Sequence, residues 1–239
     1  MIRIGWLYGD LLNMYGGRAD VLVLEKVLEE EGYECEIVKY TAGDHGDIGS
    51  CDAVLCGCGT ENSTIAALGD AGDLAEGIRK AVDSGKPVLM TGTSYGMALE
   101  TIVDADGKEH AGLGLMPGKC IYDGKRRYSE FIMETELCSE PVIGVINTSS
   151  TYSVSGEPMF HVKSCSERIL GSDSEGLRSG SLMLTELQGP VLWRNPALLD
   201  AAAAMITGKK PQAETEWRKY CRSGYENVLS VLRRSAGAK

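Results

Sequence analysis

Apolar and polar positions follow two periods along the first half of the chain. Ile2 to Leu7 is a short apolar run with β-branched residues and reads as a strand. After a loop containing Gly16 and Gly17, Val21, Leu22, Leu24, Val27 and Leu28 form one apolar face, with Glu25, Lys26, Glu29 and Glu30 outside it. That is the helical period. Glu34 to Val38 predicts a second strand. Ala53 to Cys56 predicts a third, wholly apolar and therefore buried on both faces. Ile65 to Val82 reads as helix with an interruption near Gly69 and Gly72, and Pro87 to Met90 as the next strand. Short apolar strands separated by helices predict a mostly parallel central sheet with helices on both faces, a flavodoxin-like α/β fold.

The second half is less regular. Gly112–Met116, Phe131–Glu136, Val142–Ile146, Phe160–Val162 and Leu182–Leu184 read as strands among turn-rich stretches, so part of this half is expected to be antiparallel. Pro196 marks a helix start, with Asn195 placed to cap it and Gly208 placed to end it. A last helix is expected over Glu214–Leu232, with residues 235–239 as a flexible tail. No repeat and no linker divides the chain, so residues 1–234 are read as one domain.

Charge narrows the range of partners. The 34 acidic and 24 basic residues give a net charge of −10, which disfavours nucleic acid and anionic lipid. The first residues read as a strand rather than a signal peptide, and no apolar run reaches the ~20 residues a membrane span needs. The expectation is a cytoplasmic chain. Its eight cysteines are then free thiols. Cys56 and Cys58 form a CxC with Cys51 upstream, and zinc sites ordinarily use two spaced ligand pairs. These cysteines are read as small buried apolar residues, with no metal or cofactor called for.

The candidate chemistry lies after the strand at 87–90. Gly92-Thr93-Ser94-Tyr95-Gly96 is a Gly-x-Ser-x-Gly turn between a strand and a helix, the pattern of a nucleophile elbow. Flanking glycines let the backbone crowd together, and the helix N-terminus favours negative charge near the tip. His161, with an intervening Asp, would complete the chain order of a serine hydrolase, although alternation around it reads as a structural strand. His45 sits in a polar Gly-Asp-His-Gly-Asp loop read as exposed.

The run Lys86-Pro87-Val88-Leu89 followed by Gly92-Thr93-Ser94-Tyr95-Gly96-Met97 resembles the signature of class I glutamine amidotransferases, in which Ser94 falls on the catalytic cysteine. Three further segments narrow the resemblance to the CobB/CobQ-like branch and its GatD-like glutaminase subunits. Leu7-Tyr8-Gly9-Asp10-Leu11-Leu12-Asn13-Met14-Tyr15-Gly16 resembles their N-terminal loop. Val54 to Glu61 resembles a strand and glycine-rich loop, so that Gly57, Cys58 and Gly59, with Tyr95, fall where an oxyanion or ligand is held. Leu187-Gln188-Gly189-Pro190, continuing to Asp200, resembles a Tyr-Leu-His-Gly-Pro ending, and Gln188 falls on the histidine. Arg126 falls at a Lys-Arg pair that helps hold glutamine; a plain surface arginine is the other reading. Val145 to Ser150 keeps little of the family's Gly-Phe-Glu-Asn-His run.

By resemblance the chain is a glutamine amidotransferase-family subunit working with an ATP-dependent, MurT-like Mur-ligase-family partner on a cell-wall or cobyrinate-like precursor. The residues point away from ordinary catalysis, since an unactivated serine is a poor nucleophile and an amide is no base. Three functions stand open: a non-hydrolytic subunit that retains partner or glutamine binding, a working glutaminase with a divergent mechanism, and a serine hydrolase using Ser94.

Overall fold

The computed structural model describes residues 1–44, 46–72 and 74–237. In chain order the strands and helices of the first half are β1 (Ile2–Leu7), α1 (Arg18–Glu30), β2 (Cys35–Tyr40), β3 (Ala53–Cys56), α2 (Glu61–Asp70), α3 (Leu74–Asp83), β4 (Val88–Thr91) and α4 (Ser94–Ala98). The second half adds β5 (Thr101–Val103), β6 (Glu109–Ala111), β7 (Gly118–Thr135), β8 (Cys138–Val154), β9 (Phe160–Cys165), β10 (Ser174–Glu175), β11 (Leu177–Ser179), β12 (Leu182–Thr185), α5 (Val191–Arg194), α6 (Pro196–Thr207) and α7 (Glu216–Gly237).

The first sheet has the order β11-β12-β4-β3-β1-β2. All its pairs are parallel except β11 with β12 at the edge. Successive residues of the apolar strands face opposite sides, as the two-residue period requires. Val54, Cys56, Val88 and Met90 join the layer under α2 and α3, while Ala53, Leu55 and Leu89 join the layer under α1, α5 and α6. Each fully buried aliphatic chain stabilises by roughly 1.5–3 kcal/mol, which is why these strands contain no polar residue before Thr91. The helix expected over 65–82 is two helices, parted at Ala71 and Gly72.

The second sheet, β10-β9-β7-β5-β6 with β8 on β7, is largely antiparallel. β7 and β8 run for 18 and 17 residues, much longer than the apolar runs at 131–136 and 142–146. Their outer lengths alternate polar and exposed, so apolar runs alone mark only the buried part. Gly112–Met116 is not a strand. Its backbone folds over the end of α4, where Leu113, Gly114 and Leu115 N–H donate to the carbonyls of Met97, Leu99 and Ala98 at 2.8, 3.1 and 2.8 Å. A helix end leaves such carbonyls without partners, and this segment supplies them.

Pro196 opens α6 and Gly208 ends it in the left-handed conformation, φ 72°. Asn195 occupies the cap position but its side chain does not cap. It bridges instead to β8, accepting from Ile143 N and donating to Ile143 O, and also donates to Val191 O. α7 continues to Gly237, so residues 235–237 are helix rather than a tail; residues 238–239 lie outside the described residues, as does His45. Among the described residues, no helix is long and apolar enough to cross a membrane.

Candidate active-site region at the strand-to-helix elbow

β4 ends in a turn that places Ser94 as the first residue of α4. Gly92 makes the turn with φ +60°, and a Cβ there would lie 2.5 Å from Cβ and Sγ of Cys58. Only glycine fits, both for conformation and for space. The strain of a nucleophile elbow is absent from Ser94 itself: among the described non-glycine residues, only Tyr8 and Tyr15 have positive φ.

Ser94 is 0 % exposed. Its hydroxyl shares its one proton between the carbonyls of Thr91, at 2.9 Å, and Cys56, at 3.0 Å. Neither described histidine is its partner. His110 is bonded through Nε2 to Asp104 Oδ2 at 2.7 Å within the β5–β6 hairpin, and His161 is exposed on β9.

Two of the backbone donors expected for an oxyanion, those of Gly59 and Tyr95, are also engaged. Gly59 N–H donates to Thr93 Oγ1 at 2.9 Å, and Thr64 Oγ1 donates to the same oxygen at 2.8 Å. Tyr95 N–H donates to Gly92 O at 3.1 Å, inside the turn. Gly57 packs so tightly that a Cβ would lie 2.4 Å from Leu12 O. Cys58 is buried, its thiol points to Gly59 O at 3.5 Å, and burial pushes that thiol up from its ordinary pKa, so it is no thiolate nucleophile. Cys51 and Cys56 are likewise buried, as small apolar residues.

Gln188 is 6 % exposed. Its Nε2 donates to Asn147 O at 2.6 Å, while Oε1 is buried with no hydrogen-bond partner. Arg126 donates to the same Asn147 carbonyl at 3.3 Å, and Asn147 Nδ2 donates to Tyr15 Oη at 3.1 Å. The fold therefore gathers Arg126, Gln188 and Tyr15 around Asn147. The segment after Gln188 is anchored by Asp20 of α1, whose buried carboxylate accepts from Val191, Leu192 and Trp193 N–H at 2.8, 2.7 and 3.2 Å. Burial pushes Asp20 up to about 6, against the pull of those three N–H groups and Arg194. Tyr8 is fully buried, its hydroxyl on Asp70 at 3.1 Å, and Asn13 accepts from Arg18 N at the start of α1; both serve packing and local structure.

Beside the elbow lies a feature not anticipated from motif reading. The ring of Tyr95 stacks on Tyr152, centroids 4.3 Å apart and planes within 9°. Both rings line a cleft of about 430 Å³ that also exposes edges of Glu175 and Glu186. Glu175 accepts from Thr185 Oγ1 and Glu186 N, each at 2.6 Å; Glu186 accepts from Thr148 Oγ1 at 2.9 Å. Burial pushes Glu186 up to about 8, helped by the neighbouring Glu175, and Glu175 to about 7. Desolvation outweighs the hydrogen bonds in both. The signal was present in sequence: Glu186 interrupts the apolar run from Leu182 to Leu187 at a position where the family ending carries Tyr.

The parallel sheet, the elbow after β4 and the glycine-rich loop after β3 define a class I glutamine amidotransferase fold. A solved structure described as a glutamine amidotransferase has this fold, with a TM-score of 0.57 at 17% identity, covering 86% of this chain and 99% of that one. Residues 3–187 match the CobB/CobQ-like glutamine amidotransferase domain, and the chain belongs to that family. Two relatives are GatD subunits of lipid II isoglutaminyl synthase (glutamine-hydrolyzing). The Staphylococcus aureus protein is 20% identical over 80% of this chain and 78% of its own length. The Streptococcus pneumoniae protein is 22% identical over 96% and 87%.

Proposed function

We propose that this chain is a GatD-like subunit that does not hydrolyse glutamine and acts beside an ATP-dependent, Mur-ligase-like partner. The observation that carries the first half of this reading is the state of Ser94: buried, with its proton held by two main-chain carbonyls and, among the described residues, no base in contact. Amide hydrolysis by this family's chemistry needs three things at one point: a nucleophile, a group that takes and returns its proton, and donors for the oxyanion. Here the first is a neutral hydroxyl, the second is an amide, and two of the expected donors, Gly59 and Tyr95 N–H, already have acceptors. Losing a nucleophile or its base ordinarily costs about 10⁶-fold in rate. The partnership half is supported by the two relatives, each a named subunit of a synthase.

The test is ammonia release from glutamine by the purified chain, alone and with its candidate ligase, beside Ser94→Ala. No release above background from either form is expected. Turnover that disappears on Ser94→Ala would overturn the reading and favour a hydrolase built on Ser94; a serine-reactive fluorophosphonate should likewise leave Ser94 unlabelled.

The second reading is a working glutaminase, favoured by the glutamine-hydrolysing activity in the relatives' names. It requires the partner to expose Ser94 and free the Gly59 and Tyr95 donors. Ammonia release that appears only with the ligase present would establish it.

A further inference from the structure

Beyond its first turn, where Trp217 packs against the α1 side of the core and donates to Glu30, α7 is packed by one face only. Tyr225 and Leu229 bury against Ile132 and Ile143 of the second sheet, and the Tyr225 hydroxyl donates to Pro141 O at 2.7 Å. The adjoining face is open. Trp217, Cys221, Gly224 and Val228 follow one another at spacings of four, three and four residues along a groove of about 680 Å³, whose far wall is Tyr128 on β7 and Trp193 on α5. This is the spacing with which one helix receives another. At its middle Gly224 leaves a gap, since a Cβ there would meet nothing within 4 Å.

The groove concentrates apolar surface that none of the described residues covers: Tyr220 is 75 % exposed, Val228 48 % and Trp193 43 %. Aromatic side chains grouped this way are characteristic of interface cores. The unpaired charge at its ends is basic. Three of the five Lys or Arg of α7, namely Arg218, Lys219 and Arg222, pair with Asp200, Glu216 and Glu140, and Glu130 lines the groove wall. Among the described residues, Arg194 at one end of the groove makes no ion pair, and neither do Arg233 and Arg234 just beyond Leu232 at the other. A second α7 laid into this groove would bring like charges together, which disfavours a symmetric pair of this chain.

We infer that the groove between α7, Trp193 and Tyr128 is the docking site for an amphipathic helix of the ligase partner, one whose apolar stripe is flanked by acidic side chains. The inference rests on the partnership proposed above. Helix-in-groove recognition reads apolar anchors through a hydrophobic slot, and the flanking arginines fix orientation and speed encounter.

The experiment is titration of the full chain with the purified Mur-ligase-family protein of the same organism by calorimetry, with light scattering to give stoichiometry. Tyr220→Glu and Val228→Glu lie on the exposed face and leave the packed face intact; Leu22→Glu, on the open side of α1, is the control. Unchanged far-UV circular dichroism certifies each fold. The expected result is a one-to-one complex weakened at least tenfold by either groove variant, weakened by added salt and by Arg194→Glu, and untouched by Leu22→Glu. Binding that both groove variants leave unchanged overturns the docking site while the partnership stands. No binding by the native chain overturns the partnership, and the docking site with it. A native dimer that Tyr220→Glu turns into monomer overturns it too, by making a second copy the occupant.

Discussion

Ser94 and Tyr95 are consecutive residues at the top of β4, yet their side chains meet different chemistry. Around Ser94 almost every polar atom is satisfied by main chain or hydroxyl: the serine proton by two carbonyls, Gly59 N–H by Thr93, Tyr95 N–H by Gly92. Around the Tyr95 ring, two buried carboxyls line an open cleft and are held far from their ordinary ionisation. The Ser94 hydroxyl is held by the scaffold, while the unusual ionisable groups lie around the neighbouring Tyr95 ring. Perturbed acids in a cleft are commoner at functional sites than elsewhere, and here they lie on the Tyr95 side of the elbow.

The largest effect is expected from the anchor both regions share. Asp20 holds the start of α5, immediately after Gln188 and Glu186, through three N–H groups. Asp20→Ala leaves three buried donors without acceptors. At roughly 1–3 kcal/mol for each, partly relieved by water, a loss of about 4 kcal/mol is expected, read as a lower urea midpoint. Asp20→Asn keeps an acceptor and should lose about half of that. If Asp20→Ala costs under about 1 kcal/mol, the turn is held by packing and the two regions are not mechanically joined.

Asp20 also illustrates what a sequence reveals of such a molecule. The parallel sheet was legible because β3 and β4 are apolar on both faces and β1 is broken only by Arg3, and α6 because Pro196 and Gly208 mark its ends. The turn that puts Ser94 at the start of α4 was legible from its glycines. The long hairpin β7–β8 was not, because its polar outer residues follow pairing across the sheet rather than apolar runs. Asn195 could be placed beside a helix start, but its bond to Ile143, 52 residues away, is set by tertiary packing alone. The role of Asp20 escaped for the same reason: its three partners lie about 170 residues further on.

A smaller effect, with a distinct pH signature, is expected at Glu186. Its carboxyl is pushed from an ordinary 4.5 to about 8 in the folded chain. Between those values the folded state binds a proton that the unfolded state has released. Its contribution is therefore fully present below about pH 4.5, falls as pH rises, and is gone above about pH 8. Glu175 acts in the same direction between 4.5 and about 7. Glu186→Gln keeps a partner for Thr148 and cannot ionise. Its stability should fall less steeply than the native chain's from pH 5 to 8, and exceed it above pH 8. Parallel curves would mean that Glu186 is ionised and paired when folded, and the contrast between the two sides of the elbow would be lost.

The smallest effect is the sharpest test of that contrast. Ser94→Ala removes one shared hydrogen bond from a site with no exposure, so a cost of about 1 kcal/mol is expected, with no change in glutamine turnover. Ser94→Cys restores the family's atom without its surroundings. Desolvation in this pocket already pushes the Cys56 thiol up to about 12, and a thiol at 94 would meet the same walls. It should resist iodoacetamide in the native state, with mass spectrometry of the peptide carrying residue 94 as the readout, and label only after denaturation. Adding Gln188→His supplies a base but leaves Gly59 N–H on Thr93 and Tyr95 N–H on Gly92, so the double variant should also release no ammonia. Were it to turn over glutamine, those donors would be free to reorient, and the silence of the native chain would rest on two missing side chains rather than on the way the elbow is built.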